Sequence, residues 1–175
     1  MRVVGISGSL RSASHNTAAL LACAELMPGG HDLVPLDYAD VPLFNEDIGT
    51  PEAVVRVREA IAAADAVLIA SPEYSHSIPG VLKNVLDWAS RPAYRSALTG
   101  KRAGVISASP GAVGGARAQQ HLKQVLLAIG VEVFPGAEVC IGGSGQRISD
   151  GRLVDEGTRT FLAGWLERFV GWAGR

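Results

Sequence analysis

Short apolar runs alternate along the chain with segments whose apolar residues recur at helical spacing. RVVGIS (residues 2–7) and AVLIA (residues 66–70) are the clearest runs, and the second contains no polar residue. Between them, Val54, Val57 and Ile61 fall on one face of a predicted helix. Such alternation predicts a parallel sheet covered by helices on both faces, and the unbroken run AVLIA indicates a strand buried on both sides.

The whole pattern predicts five strands and five helices in one domain over residues 1–175, because no repeat, linker or low-complexity tract interrupts it. The predicted strands are residues 2–7, 31–36, 66–70, 101–107 and 131–134, and the predicted helices are residues 16–27, 52–64, 81–90, 116–129 and 158–172. Pro35 indicates that the second strand is short or lies at an edge. Gly130 is placed to end the fourth helix.

Composition and charge exclude several classes of partner. The formal net charge is −1, so there is no basic excess to attract nucleic acid or an anionic membrane. No apolar run approaches the ~20 residues of a spanning helix, and no signal peptide is visible. Cys23 and Cys140 are far apart and without metal-ligand spacing, which indicates two buried thiols in a reducing compartment and no metal site. We therefore expect a cytoplasmic protein.

Ligands of parallel sheets bind beyond the carboxyl ends of the strands, which directs attention to the loops there. The first loop, GSLRSASHNTA (residues 8–18), lies before a predicted helix and carries four hydroxyl side chains, one arginine and one asparagine: Ser9, Ser12, Ser14, Thr17, Arg11 and Asn16. A helix N-terminus with hydroxyl donors and a guanidinium favours a phosphate. The loop matches neither the P-loop nor the dinucleotide motif, so it predicts a monophosphate site; the alternative is a set of turn and cap residues.

The second loop, SPEYSHSIPG (residues 71–80), is stiffened by a proline near each end. Tyr74 offers a flat amphipathic face, and rigid main-chain groups could grip the polar edge of a planar heterocycle. Ser77 is placed to cap the next helix, and a cap followed by a surface turn is the alternative interpretation. His76 has no visible carboxylate or nucleophile as a partner, so we interpret it as an exposed loop residue.

The third loop, SASPGAVGGAR (residues 107–117), contains three glycines that permit close approach to a ligand or simply a tight turn. Arg91 and Arg117 are the cations nearest the predicted cleft and could meet the phosphates of a dinucleotide, although exposed positions at helix ends are the alternative. The helix at 81–90 has a wide apolar arc that could serve both the sheet and a partner chain, or simply be buried in a monomer. The stripe Phe161, Trp165, Phe169, Trp172 is interpreted as core packing.

Taken together, GSLRSASHN, SPEYSHSIPGVLKNVLDWASR and GAVGGARAQQHL resemble the NAD(P)H-dependent FMN reductase family, which includes bacterial chromate and quinone reductases. The resemblance covers roughly residues 2–141, with matching order and spacing. It implies a flavodoxin-like three-layer α/β/α sandwich with a five-stranded parallel sheet in the order 2-1-3-4-5. It also implies homodimers or homotetramers, assembled partly through the helix at 81–90.

The resemblance further implies bound FMN, with NAD(P)H as co-substrate. The implied phosphate ligands are Ser9, Arg11, Ser14, Asn16 and Thr17. The implied contacts of the isoalloxazine ring are Pro72, Glu73, Tyr74 and Ser75 on one side and Ser107, Ala108, Ser109 and Gly111 on the other. Two positions depart from the family pattern: Ser75 stands where the family usually has Asn, and Gln120 stands where relatives can carry Tyr.

The resemblance implies a ping-pong reaction that passes electrons from NAD(P)H through FMN to quinones, free flavin, chromate or similar small acceptors. Hydride transfer between stacked rings needs orientation and electrostatics from the protein, with the hard chemistry supplied by the cofactor. No catalytic side chain is therefore assigned, in agreement with the absence of a visible triad or dyad. The alternative function is a non-catalytic electron carrier of the flavodoxin type or an FMN-binding module, and the net charge of −1 argues against the usually acidic carriers.

Overall fold

The computed structural model describes residues 1–175, in which strands and helices alternate as the pattern predicts. The strands are β1 (Arg2–Ser7), β2 (Asp32–Pro35), β3 (Ala66–Ala70), β4 (Arg102–Ala108), β5 (Glu132–Val133), β6 (Val139–Ile141), β7 (Ile148–Ser149) and β8 (Arg152–Leu153). The helices are α1 (His15–Glu25), α2 (Glu52–Ala62), α3 (Gly80–Ala89), α4 (Ala116–Ala128), α5 (Ser144–Arg147) and α6 (Glu156–Ala173), with a short 3-10 turn at Glu46–Ile48.

The main sheet is parallel and has the order β2-β1-β3-β4-β5, which confirms the predicted order 2-1-3-4-5. Its last position differs from the prediction because two short strands share it. β5 pairs with the beginning of β4, and β6 pairs with the end of β4. Pro135 follows β5 and has no N–H group to donate to a ladder, so the strand is broken there and pairing resumes at Val139.

Most helix boundaries lie within two residues of their predicted positions. α1 begins at His15 because the hydroxyl of Ser14 accepts a hydrogen bond from the Thr17 N–H at 3.2 Å. α4 ends as predicted at a Schellman motif, in which Gly130 has a φ of 78° and Val131 N–H donates to the Leu126 carbonyl. The β7–β8 hairpin was not predicted, although the Asp150-Gly151 pair at its turn is typical of one.

Two apolar clusters lie on opposite faces of the sheet, and β3 is buried in both. α1 and α6 cover one face, while α2, α3 and α4 cover the other. Trp165 and Phe169 of the C-terminal stripe are buried, which confirms core packing for these two residues. The interpretation is wrong for Phe161, which is 45% exposed because it faces outward from α6.

The thiols also differ in part from expectation. Cys23 is fully buried in α1, whereas Cys140 is only partly buried in β6, and neither forms a disulfide. Burial raises the pKa of the Cys23 thiol to about 12. Among the helices, none is both long and apolar enough to cross a bilayer.

Candidate functional site

The three loops singled out in the sequence follow β1, β3 and β4, which are neighbours in the parallel sheet, so all three meet at one edge. Main-chain hydrogen bonds tie their first residues together: Gly8 N–H donates to the Ala70 carbonyl at 2.7 Å, and Ser71 N–H donates to the Ile106 carbonyl at 3.0 Å. A side chain at Gly8 would lie about 3.1 Å from Pro72. The first two loops are thus packed against each other at their base.

The loop between β1 and α1 forms a cradle, defined here as residues 8–17, with donors left free. Ser9 and Ser14 are buried, whereas Arg11 is exposed. Ser9 accepts from Arg11 N–H at 3.3 Å, and Ser14 caps α1. The main-chain N–H groups of His15 and Asn16, in the first turn of the helix, have no acceptor in the protein. Such groups at the positive end of a helix suit an anion.

Asn16 and Thr17 direct their side chains to the protein itself. The Asn16 amide donates to the Ala108 carbonyl at 2.9 Å and accepts from Ala108 N–H at 2.9 Å, and it is buried. It therefore clamps the start of α1 to the end of β4. Thr17 lies 2.7 Å from the Ser7 hydroxyl, on the side of α1 that faces β1.

A cavity of about 270 Å³ opens beside the cradle, between α1 and the segment after β2. Ser9, Arg11 and Thr17 line it together with Tyr38. The Tyr38 hydroxyl donates to the Ser7 carbonyl, and burial raises its pKa to about 12, so it remains protonated at neutral pH.

The loop after β3 forms a shelf, defined here as residues 72–77, which contains a two-residue β-turn. Tyr74 and Ser77 exchange two main-chain hydrogen bonds of 3.0 Å each. Ser75 and His76 between them both have left-handed backbone angles, with φ of 50° and 62°, which is the geometry of a type I′ turn. The Tyr74 side chain is 49% exposed. The shelf is therefore a fixed main-chain surface with an accessible aromatic face.

The capping role predicted for Ser77 is wrong. α3 begins after Pro79 without any side-chain cap, and the Ser77 hydroxyl instead lies 3.0 Å from Nδ1 of His121 on α4. His76 is exposed at the tip of the turn, in agreement with the sequence interpretation.

Glu73 points away from the cradle and toward α4. Its Oε1 lies 3.0 Å from Nη1 of Arg117, and its Oε2 accepts from the N–H groups of Arg117 and Ala118 at 3.0 and 3.3 Å. Partial burial acts to raise the pKa of Glu73, but the hydrogen bonds from Arg117 and Ala118 outweigh it and hold the pKa below its usual range. Glu73 is therefore an anion at neutral pH.

The loop between β4 and α4 closes the opposite side of the edge. Ser107 is buried and donates to the Gly114 carbonyl at 2.6 Å. A side chain at Gly115 would come within 2.8 Å of Ser107, and its φ of 91° also requires glycine. The Ser109 N–H donates to the Ile141 carbonyl at 3.0 Å. The Gly111 N–H donates to the Ser109 hydroxyl at 3.2 Å, in an exposed turn.

Two further residues stabilise this edge of the sheet and were not predicted from the sequence. Gln119 is fully buried in α4, and its amide donates to the Ser107 hydroxyl and to the Val139 carbonyl, both at 2.7 Å. His15 lies 2.7 Å from the buried Ser144 hydroxyl. No local pattern distinguishes Gln119 from an exposed helical glutamine, because its burial depends on how α4 packs on the sheet.

The two arginines proposed for dinucleotide phosphates are both paired within the chain. Arg117 pairs with Glu73 at the shelf, as described above. Arg91 pairs with Glu46 at 3.1 Å and stacks over Phe44, beside a cavity of about 530 Å³ between α2 and α3. That cavity is lined by none of the cradle, shelf or β4–α4 loop residues.

Comparisons with known proteins show the family of the chain. Residues 1–146 match the family model described as NADPH-dependent FMN reductase. An NAD(P)H-dependent FMN reductase of Pseudomonas aeruginosa is 46% identical over 180 residues, covering all of this chain and 96% of the relative. A quinone reductase of Pseudomonas putida is 39% identical over 173 residues, covering 97% of this chain and 93% of the relative.

Among solved structures, the flavoenzyme NAD(P)H:(acceptor) oxidoreductase FerB of Paracoccus denitrificans superimposes with a TM-score of 0.89 at 37% identity. The superposition covers 99% of this chain and 97% of FerB. The flavodoxin-like α/β/α fold, the match of most of the chain to the family model and these identities lead to one conclusion: the chain belongs to the NADPH-dependent FMN reductase family, oxidoreductases that use FMN with NAD(P)H as electron donor.

Proposed function

We propose that residues 1–175 act as one reductase domain that passes electrons from NAD(P)H through FMN to a small acceptor by a ping-pong mechanism. Quinones are the first acceptor class, since a quinone reductase is among the relatives; free flavin and chromate are further candidates. The observation that supports this proposal best is the cradle, where unpaired N–H groups and the exposed Arg11 lie at a helix N-terminus.

In this proposal the cradle holds the phosphate, and the shelf and the β4–α4 loop hold the ring. Asn16 contributes its main-chain N–H, because its side chain already binds Ala108. Glu73 contributes main-chain atoms for the same reason. The proposed cofactor-binding residues are Ser9, Arg11, Ser14, Asn16, Thr17, Pro72, Glu73, Tyr74, Ser75, Ser107, Ala108, Ser109 and Gly111.

When bound, FMN supplies the hydride-accepting chemistry, and the protein supplies orientation. Main-chain groups of the shelf would bind the polar edge of the ring, and this contact needs no protein acid or base. The β4–α4 loop would restrict the access of water to one face of the bound ring. We assign no catalytic side chain: the exposed His76 has no hydrogen-bond partner, and Arg117 and Glu73 are engaged with each other.

Replacement of Arg11 tests the cradle. Loss of one charge-assisted hydrogen bond costs about 1.5–3 kcal/mol, so Arg11→Ala should weaken FMN binding about tenfold or more in a fluorescence-quenching titration. Arg168→Ala on α6 is the matched control, because it removes an exposed arginine far from the three loops. Equal FMN affinity in the two variants would contradict the cradle assignment.

Turnover is tested separately. Anaerobic NADPH should bleach the visible band of the FMN-loaded protein, and steady-state initial rates with a benzoquinone should give parallel double-reciprocal lines. An electron carrier would bind FMN but oxidise NAD(P)H negligibly, which would contradict the proposed reductase activity while leaving the cradle intact.

We also propose that the protein is a cytoplasmic homodimer or homotetramer. The segment before the 3-10 turn packs on α3 through bonds from Asn84 and Trp88 to Pro42, and it leaves Leu43 82% exposed. A second copy of the chain would cover this apolar position. Leu43→Glu should then lower the mass measured by light scattering, whereas a monomeric wild type would contradict the proposal.

The two free thiols suit a reducing compartment, and cell fractionation tests the location.

A further inference from the structure

We propose that Glu73 and Arg117 are positioning residues. Their ion pair, called the latch here, ties the shelf to α4 and thereby holds the shelf and the β4–α4 loop, between which the ring would bind, at a fixed separation. This inference rests on the proposed binding of FMN at the same edge. It gives Glu73 a role through its side chain that differs from the main-chain contact with the ring.

The Glu73 carboxylate is fully engaged. Its two oxygens accept three hydrogen bonds, one from the Arg117 guanidinium and two from the N–H groups of Arg117 and Ala118 in the first turn of α4. The Glu73 side chain is only 12% exposed, whereas Arg117 is half exposed. A carboxylate here meets both the positive end of the helix dipole and a cation. The contact joins residues 44 positions apart in the sequence.

α4 needs this contact because it has no cap of its own. Its N-cap position is Gly115, which carries no side chain and has a left-handed backbone. Glu73 therefore satisfies donors that a Ser or Asp at the N-cap would satisfy in other helices. The shelf supplies the cap of α4, and α4 in return fixes the direction of the shelf.

A second bond reinforces the same connection. The Ser77 hydroxyl lies 3.0 Å from Nδ1 of His121, one helical turn beyond Arg117 on α4. Glu73 directly precedes the turn and Ser77 ends it, so the chain on both sides of the turn is held by one face of α4.

The turn requires such support because it is strained. Ser75 and His76 occupy the left-handed region without being glycine, and each such residue persists only where its surroundings hold it. The latch also occupies the N-terminus of α4, a position that would otherwise attract the phosphates of a dinucleotide. Loss of the latch should therefore make the shelf more mobile and weaken the binding of FMN.

The test is a double-mutant cycle with Glu73→Met, Arg117→Met and the double variant, measured by FMN titration. We expect Arg117→Met to weaken FMN binding about threefold and Glu73→Met about tenfold, since Glu73→Met also removes the bonds to the α4 main chain. The double variant should bind no more weakly than Glu73→Met, because Arg117 acts only through Glu73. Arg117→Lys should recover part of the affinity.

Arg152→Met is the matched control, because Arg152 forms an ion pair with Glu25 at 3.2 Å outside the three loops. It should leave FMN affinity unchanged. A second readout needs no FMN: amide hydrogen exchange at Tyr74 and Ser77 should be at least about tenfold faster in Arg117→Met than in Arg152→Met.

Normal FMN affinity in Arg117→Met, unchanged exchange at the shelf, or additive effects in the cycle would each overturn the latch. If Glu73→Met fails to fold, Arg117→Met still decides the question through exchange. A wild type that binds no FMN would contradict the proposed function, while the exchange measurement on the FMN-free protein would still test the latch.

Discussion

The clamp between Asn16 and Ala108 offers a quantitative test of how α1 is held to the sheet. In Asn16→Leu, a side chain of similar size replaces the amide, and the buried N–H and carbonyl groups of Ala108 lose their partners. Each unsatisfied buried group costs about 1–3 kcal/mol. Burial of the leucine offsets up to about 2 kcal/mol. The expected net loss is about 3 kcal/mol, out of a total stability of about 5–15 kcal/mol.

Urea unfolding of the FMN-free protein, followed by far-UV circular dichroism, measures this loss. With a slope of about 2–3 kcal/mol per molar urea, the midpoint should fall by about 1 M. Asn16→Asp adds a pH test. Its carboxylate can accept from Ala108 N–H, but only the protonated acid can donate to the Ala108 carbonyl.

The sign of that pH dependence follows from linkage. Burial and the facing Ala108 carbonyl should raise the pKa of Asp at position 16 above its unfolded value of about 3.9, and we expect them to outweigh the positive end of α1, which lowers it; the variant then loses stability as pH rises above about 4. Its deficit relative to the wild type should therefore be smaller at pH 4 than at pH 8. A loss below about 1 kcal/mol in Asn16→Leu would refute the clamp, whereas the same Asp deficit at both pH values would contradict the raised pKa alone.

Three further outcomes are expected. Ser75→Asn should raise the melting temperature, because Asn adopts the left-handed region more readily than Ser, and an unchanged or lower value would contradict the strain at φ 50°. Burial raises the pKa of both thiols, but Cys140 is only partly buried; a thiol reagent at pH 8 should therefore modify Cys140 faster than Cys23, and Cys140→Ser should abolish the faster reaction, whereas equal or faster modification of Cys23 would contradict its burial. Tyr38→Phe should lose less stability than the wild type between pH 10 and 12, because the pKa of Tyr38 is about 12 when folded and about 10 when unfolded, so that folding is disfavoured progressively in that window; equal alkaline losses would contradict this.

The fold could be predicted because its signals are local. Hydrophobic periodicity located every long strand and helix, and AVLIA correctly indicated the central strand. The second strand at the last position, β6, was not predicted, because the predicted strand ends at residue 134, before Pro135. The Asp150-Gly151 hairpin was also missed, although that pair carries a recognised turn signal.

The three loops of the site could also be located from local signals, because glycine, proline and hydroxyl residues cluster at the ends of strands. The partners of their side chains could not. Asn16 meets Ala108 across 92 positions, and Glu73 meets Arg117 across 44. Such contacts depend on how helices dock on the sheet, which periodicity alone leaves undetermined.

The polar residues of the edge therefore divide into two groups with different physical roles. Asn16, Glu73 and Ser107 are conspicuous in the sequence as ligands, but their side chains bind the protein's own backbone or a neighbouring side chain. The donors that remain free in the cradle are the Arg11 guanidinium and the main-chain N–H groups of His15 and Asn16. Main-chain donors are present at every residue except proline, so residue type does not reveal them. A site built in this way tolerates a change such as Ser at position 75 as long as the backbone keeps its course. It follows that residues fixing the backbone, more than residues facing the ring, should control FMN affinity, and the effects of Arg117→Met measure that directly.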